Sequence, residues 1–311
     1  MINRVLLRTK IVQTLYAYYK SEGKTTAMVE NELFYGVERA YDMYFQLLLL
    51  MVEVKRYAEV RIENRKNKLQ PTHEDLNPNT RFIDNKFIEK LENNNAFNER
   101  VSTLKLSWVN NMEVVKSVYN EIVESDIYVE YMKAESTSFN ADKELWRKIF
   151  KSIILNNAEL DESLEDQSIY WANDVETIAS FVIKSIKRFD EADDENTPLL
   201  PMFKDRDDEL FAKKLLNASI RNAAEYKAYV VAHLQNWEPE RVAFMDMMIM
   251  QVAIAELLEF PTIPVNVTLN EYIEIAKNFS TDRSGTFVNG VLDKIVTTLK
   301  NDNKLIKVKM I

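Results

Sequence analysis

Apolar residues recur at three- and four-residue spacing along most of the chain, the period of helices that bury one face. The spacing predicts a first helix over residues 3–20, with Val5, Val12, Tyr16 and Tyr19 on its buried stripe, Arg4 and Arg8 outside that stripe, and an end near Gly23. Residues 25–69 read as one or two long helices through Tyr41, Phe45, Leu48 and Val52, stopping before Pro71. Residues 84–190 carry helical spacing around 101–131, 144–155 and 169–189, with Asn-rich and acidic breaks between them. The best boundary in the chain is 190–201, where Asp193, Asp194, Glu195, Pro198 and Pro201 combine charge with proline and discourage a packed helix.

Beyond that boundary, residues 210–234 read as one amphipathic helix, and Pro239 opens another whose stretch 242–258 is apolar nearly all round. Such a helix is the buried centre of a bundle, and Pro261 and Pro264 end it. Thr268 and Glu271 have capping-box spacing, with Leu269, Tyr272, Ile273 and Ala276 at helical spacing behind them. In a last helix Phe287, Val291 and Ile295 share one face and Asn289 and Asp293 line another, while Gly290 predicts a close approach by a backbone or ligand, since glycine inside a helix costs about 1 kcal/mol relative to alanine.

Composition narrows the fold class to all-α. Four glycines and seven prolines in 311 residues leave little material for the turns of a sandwich or for glycine-rich nucleotide loops. At 46% hydrophobic and 29% charged the chain is globular. Cysteine is absent, which removes disulfides, thiolate zinc sites and thiol nucleophiles and suits a reducing cytoplasm, and the first four residues lead into no signal-peptide pattern. A cytoplasmic location is therefore expected. Residues 47–52 are too few to span a bilayer, and 242–258 are interrupted by Asp246, Gln251 and Glu256, short of the ~20 apolar residues required. No membrane is expected as a partner.

The net charge of −9 disfavours indiscriminate coating of nucleic acid, but its distribution is uneven. Residues 1–21 contain Arg4, Arg8, Lys10 and Lys20 and no acid, whereas 159–166 and 190–195 are strongly acidic. Lys55, Arg56, Arg61, Arg65, Lys66 and Lys68 form a second basic run near Tyr57, a second candidate for RNA contact, but with Glu53, Glu59 and Glu63 interleaved it reads first as a salt-bridged exposed face.

One stretch carries a resemblance. Val267-Thr268-Leu269-Asn270-Glu271-Tyr272-Ile273-Glu274-Ile275-Ala276-Lys277-Asn278-Phe279, a short turn, and then Thr286-Phe287-Val288-Asn289-Gly290-Val291-Leu292-Asp293-Lys294 resembles, in order and spacing, the C-terminal half of the transcription antitermination factor NusB family. The stretch from Trp237 to Leu258 is similar to that family's central helix, and Gln13-Thr14-Leu15-Tyr16 to its N-terminal motif. The resemblance implies an all-helical, NusB-like RNA-binding domain from residues 1–22 plus 203–311, interrupted by a helical insertion at 23–202 whose role it does not supply.

What the resemblance implies about function is a non-enzymatic module. It would bind single-stranded RNA of the boxA type together with NusE, a ribosomal protein of the small subunit, within the antitermination complex of RNA polymerase on ribosomal RNA genes. The arginine-rich N-terminal segment of the family is reduced here to Arg4, Arg8 and Lys10. Arg4 and Arg8 fall at i and i+4 and can face one phosphate path, with Lys10 about half a turn away. Asn289, Asp293 and Lys294 match the family motif and read first as helix-packing and hydrogen-bonding positions, with Lys294 a further candidate for a phosphate contact. The positions matching family contacts with NusE are Tyr16, Asp246 and Phe287, and Arg283 stands in the turn where the family often has an acid, a departure that bears on partner specificity. Asp246 also stands out physically, as a carboxylate in an apolar helix that needs solvent, a donor or a partner.

Two rival classes remain to be weighed. Some RNA cytosine methyltransferases carry a domain of similar fold, but this chain supplies neither a glycine-rich cofactor loop nor a cysteine nucleophile. His73 and His233 are too few and isolated for a metal site or a triad, and the carboxylates near Asp161 and Asp205 lie in acidic low-complexity stretches. No catalytic residue, metal or cofactor is expected. A helical scaffold that recruits proteins without RNA specificity is the second rival, and boxA binding separates it from the first reading.

Overall fold

The computed structural model describes residues 2–171, 174–234 and 238–308. Trp237, where the likeness to a central helix begins, lies outside the described residues. The described residues form an all-α fold, as the spacing predicts, with one isolated parallel bridge between Ile2 and Phe203 and no strand. None of these helices is long and apolar enough to cross a membrane. The chain divides into two compact units, Glu38–Met202 and the pair Ile2–Val37 with Phe203–Ile311.

Helix α1 (Arg4–Lys20) is capped by Asn3, whose side chain accepts the Leu6 amide. Its buried side is Leu6, Leu7, Ile11, Val12 and Leu15, with Arg8 and Lys10 among them, and this corrects the predicted stripe: Val5, Tyr16 and Tyr19 are exposed. Helix α2 (Thr26–Lys66) is a single helix, and it begins in one unit and continues in the other.

In the middle unit, Leu47 to Val52 of α2 are buried without a break. Short helices follow: α3 (His73–Leu76), α4 (Lys86–Glu92), α5 (Asn95–Leu104), α6 (Met112–Glu124), α7 (Asp126–Lys133), α8 (Phe139–Ser152), α9 (Ala158–Gln167) and α10 (Val175–Arg188). The predicted segment 101–131 is therefore three helices. Lys105 adopts the left-handed conformation (φ 54°) to end α5, and Ser125 both ends α6 and caps α7. The Asn-rich breaks are N-caps: the side-chain oxygens of Asn85, Asn94 and Asn157 accept the first amides of α4, α5 and α9. The stretch 190–201 is non-helical, as predicted, yet fixed to its unit, because Asn95 N donates to Glu195 O and the Asn94 amide to Thr197 O while Leu199 and Leu200 are buried.

The terminal unit is completed by α11 (Arg206–Arg221), α12 (Ala223–Ala232), α13 (Phe244–Glu259), α14 (Val265–Phe279) and α15 (Ser284–Asn301). The predicted helix 210–234 breaks at Asn222, whose side chain reaches forward to the Tyr226 hydroxyl. Every residue of α13 from Asp246 to Leu257 is buried, so it is the central helix its composition predicts, with α1, α11, α12, α14 and α15 packed on it. Each fully buried large apolar side chain of this helix contributes roughly 1.5–3 kcal/mol of apolar burial.

Two local expectations fail. Helix α14 starts at Val265 behind Pro264, so Thr268 lies inside it and forms no capping box. Open space surrounds the place where a Gly290 Cβ would stand, and the close approach is instead at Gly285, whose added Cβ would meet Lys277 Cγ at 2.7 Å.

Candidate nucleic-acid interface

Arg8 is not at the surface. It is 3% exposed, and its guanidinium donates from Nε to Glu256 Oε2 at 2.7 Å and from Nη2 to Glu256 Oε1 at 2.9 Å. Glu256 is fully buried and also accepts from Thr268 Oγ1 (2.8 Å) and Tyr272 Oη (3.1 Å), which gives Thr268 its role. Burial works against the Arg8 charge, but the hydrogen bonds and charge of Glu256 outweigh it and hold the pKa above the ordinary guanidinium value. The same burial, with Glu256 adding to it, pushes the Tyr272 hydroxyl well above its usual range. The group is a fully paired ionic junction between α1, α13 and α14. It is closed to a phosphate, so Arg8 is corrected from an RNA contact to a structural residue. Lys10, 4% exposed, is corrected on the same ground of burial.

Arg4 keeps 38% of its side chain exposed, stacks over the Phe211 ring at 4.9 Å and pairs with Asp208 at 3.0 Å. Lys294 is exposed on α15. These two of the four sequence-predicted RNA residues are open to solvent.

The three sequence-predicted partner residues come together around the first turn of α13. Tyr16 is 39% exposed and meets Phe244 edge-on, ring centroids 5.7 Å apart; Phe244 itself is 41% exposed and meets Tyr19 at 6.4 Å, with Lys20 Nζ 4.7 Å from its centroid. Two residues further on, Asp246 lies at the floor of a cavity of about 190 Å³ with Phe287 on its wall and Arg241 and Arg283 beside it. Ser284 Oγ donates to Asp246 Oδ2 at 2.9 Å, while the buried Oδ1 has no hydrogen-bond partner among the described residues. The site therefore has an aromatic patch with a cation on one side of a helix end and, on the other, a carboxylate whose buried Oδ1 is unsatisfied among the described residues.

Sequence reasoning passed over Phe244, Ser284 and Glu256. Glu256 had a signal, because a carboxylate in the middle of an all-buried helix requires a buried cation. Phe244 and Ser284 carried none, since an aromatic and a hydroxyl residue look alike inside and outside a bundle. His233 bonds Tyr229 O and Thr298 Oγ1, both at 2.7 Å, a structural use of the ring.

Five helices packed on one apolar central helix, with an exposed aromatic and a buried, partly unsatisfied carboxylate near one end of that helix, define an all-α bundle. Residues 174–297 match the model of the NusB family. The transcription antitermination protein NusB of Salinibacter ruber is 39% identical over 108 residues, covering 35% of this chain and 68% of that protein. The protein of the same name from Chloroherpeton thalassium is 41% identical over 97 residues (31% and 46%), and that from Geobacter sp. (strain M21) 42% over 89 residues (29% and 61%). The chain thus spans about half to two thirds of the length of these relatives. No solved structure matches it. The chain belongs to the NusB family.

Proposed function

We propose that this protein is a cytoplasmic antitermination factor that binds boxA-type single-stranded RNA jointly with the ribosomal protein NusE, within the antitermination complex of RNA polymerase, and so supports transcription of ribosomal RNA. Residues 1–22 and 203–311 are the RNA-binding domain in this reading, and 23–202 are an insertion. The observation that carries it is the gathering of Tyr16, Asp246 and Phe287, from three helices, around the first turn of α13, with Asp246 Oδ1 buried and without a hydrogen-bond partner among the described residues. Desolvated acceptors of this kind are costly alone and favourable once paired, which makes them specific contacts. Arg4 and Lys294 supply the phosphate contacts, with Arg8 and Lys10 excluded by burial. The mechanism is positioning: two modest surfaces, one on each protein, hold one RNA strand better than either does alone.

The test is binding of a boxA RNA and a scrambled RNA to the full chain, with and without NusE. A preference for boxA that grows when NusE is present is the expected result. Equal binding of both RNAs in both conditions overturns the proposal and leaves a helical scaffold without RNA specificity.

A further inference from the structure

The basic run on α2 separates into two kinds of residue. Lys55 pairs with Glu59 (2.6 Å) and Glu92 (2.9 Å), Arg56 with Glu53 (2.7 Å) and Glu92 (2.9 Å), Lys66 with Glu63 (4.0 Å) and Lys68 with Asp75 (2.9 Å). Arg61 and Arg65, one turn apart, have neither an ion pair nor a side-chain hydrogen bond among the described residues. Both line an open cavity of about 380 Å³ in the middle unit. That volume lies near the lower end of small-molecule sites, about 300–1,000 Å³.

Three aromatic residues, Phe82, Tyr119 and Tyr128, share the rest of the wall with aliphatic and polar side chains. Tyr128 and Phe82 meet edge-on at 5.4 Å, and Tyr119 meets Tyr57 edge-on at 5.2 Å, so the rings are held in place by one another. The hydroxyls of Tyr119 and Tyr128 have no hydrogen-bond partner among the described residues. Burial pushes both above the ordinary tyrosine range while the Arg65 charge opposes the shift, which places that guanidinium within electrostatic reach of both. Glu74 stands at the rim as an acceptor.

We propose that this cavity binds a ribonucleoside 5′-phosphate, its phosphate on Arg61 and Arg65, its base against the Tyr119 and Tyr128 rings, and its hydroxyl or amino donors toward Glu74. Two guanidinium forks one turn apart match a phosphate better than they match a solvated surface. Immobile aromatic edges and faces suit a planar base, and a carboxylate at the rim is an obstacle to a bare anion but a partner for a ribose or an exocyclic amine. The ligand is either a free mononucleotide or one nucleotide of an RNA strand, and the chemistry of recognition is shared. The inference is independent of the proposed antitermination role, since none of these residues belongs to the terminal unit.

The experiment is calorimetric titration of the full chain with adenosine 5′-monophosphate, uridine 5′-monophosphate, inorganic phosphate and an RNA hexamer unrelated to boxA. It is repeated on Arg61→Ala/Arg65→Ala, on the charge-preserving Arg61→Lys/Arg65→Lys and on Tyr128→Phe. At least one mononucleotide or the hexamer is expected to bind saturably, at least about tenfold tighter than inorganic phosphate, and to weaken at least about tenfold in the double alanine variant. The lysine variant retains part of the binding. Loss of mononucleotide binding in the alanine variant identifies a free nucleotide as the source, and loss of hexamer binding alone identifies a strand. No saturable binding, binding untouched by the alanine variant, or affinity equal to that for inorganic phosphate overturns the proposal. Because both arginines are exposed, the variants fold, and boxA binding with NusE is expected to be unchanged in them, which keeps failure here separate from failure of the antitermination reading.

Discussion

Arg4 and Arg8 on α1 and Arg61 and Arg65 on α2 are the same sequence feature, two arginines four residues apart on a helix, yet they meet opposite surroundings. The first pair does share a face, but that face points at Phe211 of α11, whose ring lies 4.9 Å from the Arg4 guanidinium and 5.4 Å from that of Arg8. Arg8 then continues inward to a carboxylate. The second pair sits on the exposed end of a long helix where the neighbouring Lys55, Arg56 and Lys68 pair with Glu92 and Asp75 while Arg61 and Arg65 take no ion pair among the described residues. Spacing tells which residues share a face; what packs against that face decides whether a guanidinium is structural or free to bind. Arg8 is therefore structural, while on α2 the salt-bridged face is made by the neighbours of Arg61 and Arg65 and not by the pair itself.

The largest effect that could break this contrast is on stability. Glu256→Ala leaves the buried Arg8 charge without its hydrogen-bonded carboxylate, with only Glu271 at 3.8 Å remaining, and is expected to cost about 3–5 kcal/mol, as is Arg8→Ala. Hydrogen exchange of the α13 and α14 amides measures it without assuming that the two units unfold together. In the same measurement the exposed Arg61→Ala/Arg65→Ala variant should stay within about 0.5 kcal/mol of the parent. A loss below about 1 kcal/mol for Glu256→Ala would mean that the junction is not the buried pair described.

A smaller effect sharpens the same junction. Tyr272→Phe removes the hydroxyl that donates to Glu256 and should cost about 1 kcal/mol near neutral pH. The pH dependence has a definite sign. The folded-state pKa of Tyr272 is raised, so the unfolded chain releases this proton first as pH passes the ordinary tyrosine value near 10; stability is intact below that pH and falls above it. The phenylalanine variant should lose less stability between neutral pH and pH values above 10 than the parent does. An unchanged alkaline slope would separate Tyr272 from the linkage.

The helices and the central place of α13 were legible in the sequence because period and near-total apolarity are local properties. Helix α1 misled because its tyrosines are amphipathic: Tyr16 and Tyr19 fit an apolar stripe, but Leu6, Leu7, Ile11 and Leu15 form a competing one that α11 and α13 cover. Thr268 and Glu271 had the spacing of a cap, yet Pro264 starts the helix one turn earlier, so the threonine answers to Glu256. Of the candidate surface, Tyr16 and Phe287 were legible through resemblance alone, and Asp246 also as a carboxylate in an otherwise apolar helix. That Phe244 joins them, and that Ser284 bonds one oxygen of Asp246 while the other is buried without a partner among the described residues, are facts of packing between helices that no local pattern contains.

The smallest expected effect concerns the exposed member of the first arginine pair. Arg4→Ala removes a half-exposed ion pair with Asp208, so the change in stability should be only about 0–1 kcal/mol. If Arg4 meets an RNA phosphate, boxA affinity should fall, and the slope of log affinity against log salt should shrink by about 0.7, the value for one contact on a single strand. Asp208 competes with that phosphate for the same guanidinium. Asp208→Ala should therefore raise RNA affinity while steepening its salt dependence, and an affinity unchanged by both substitutions would remove Arg4 from the interface as burial has already removed Arg8.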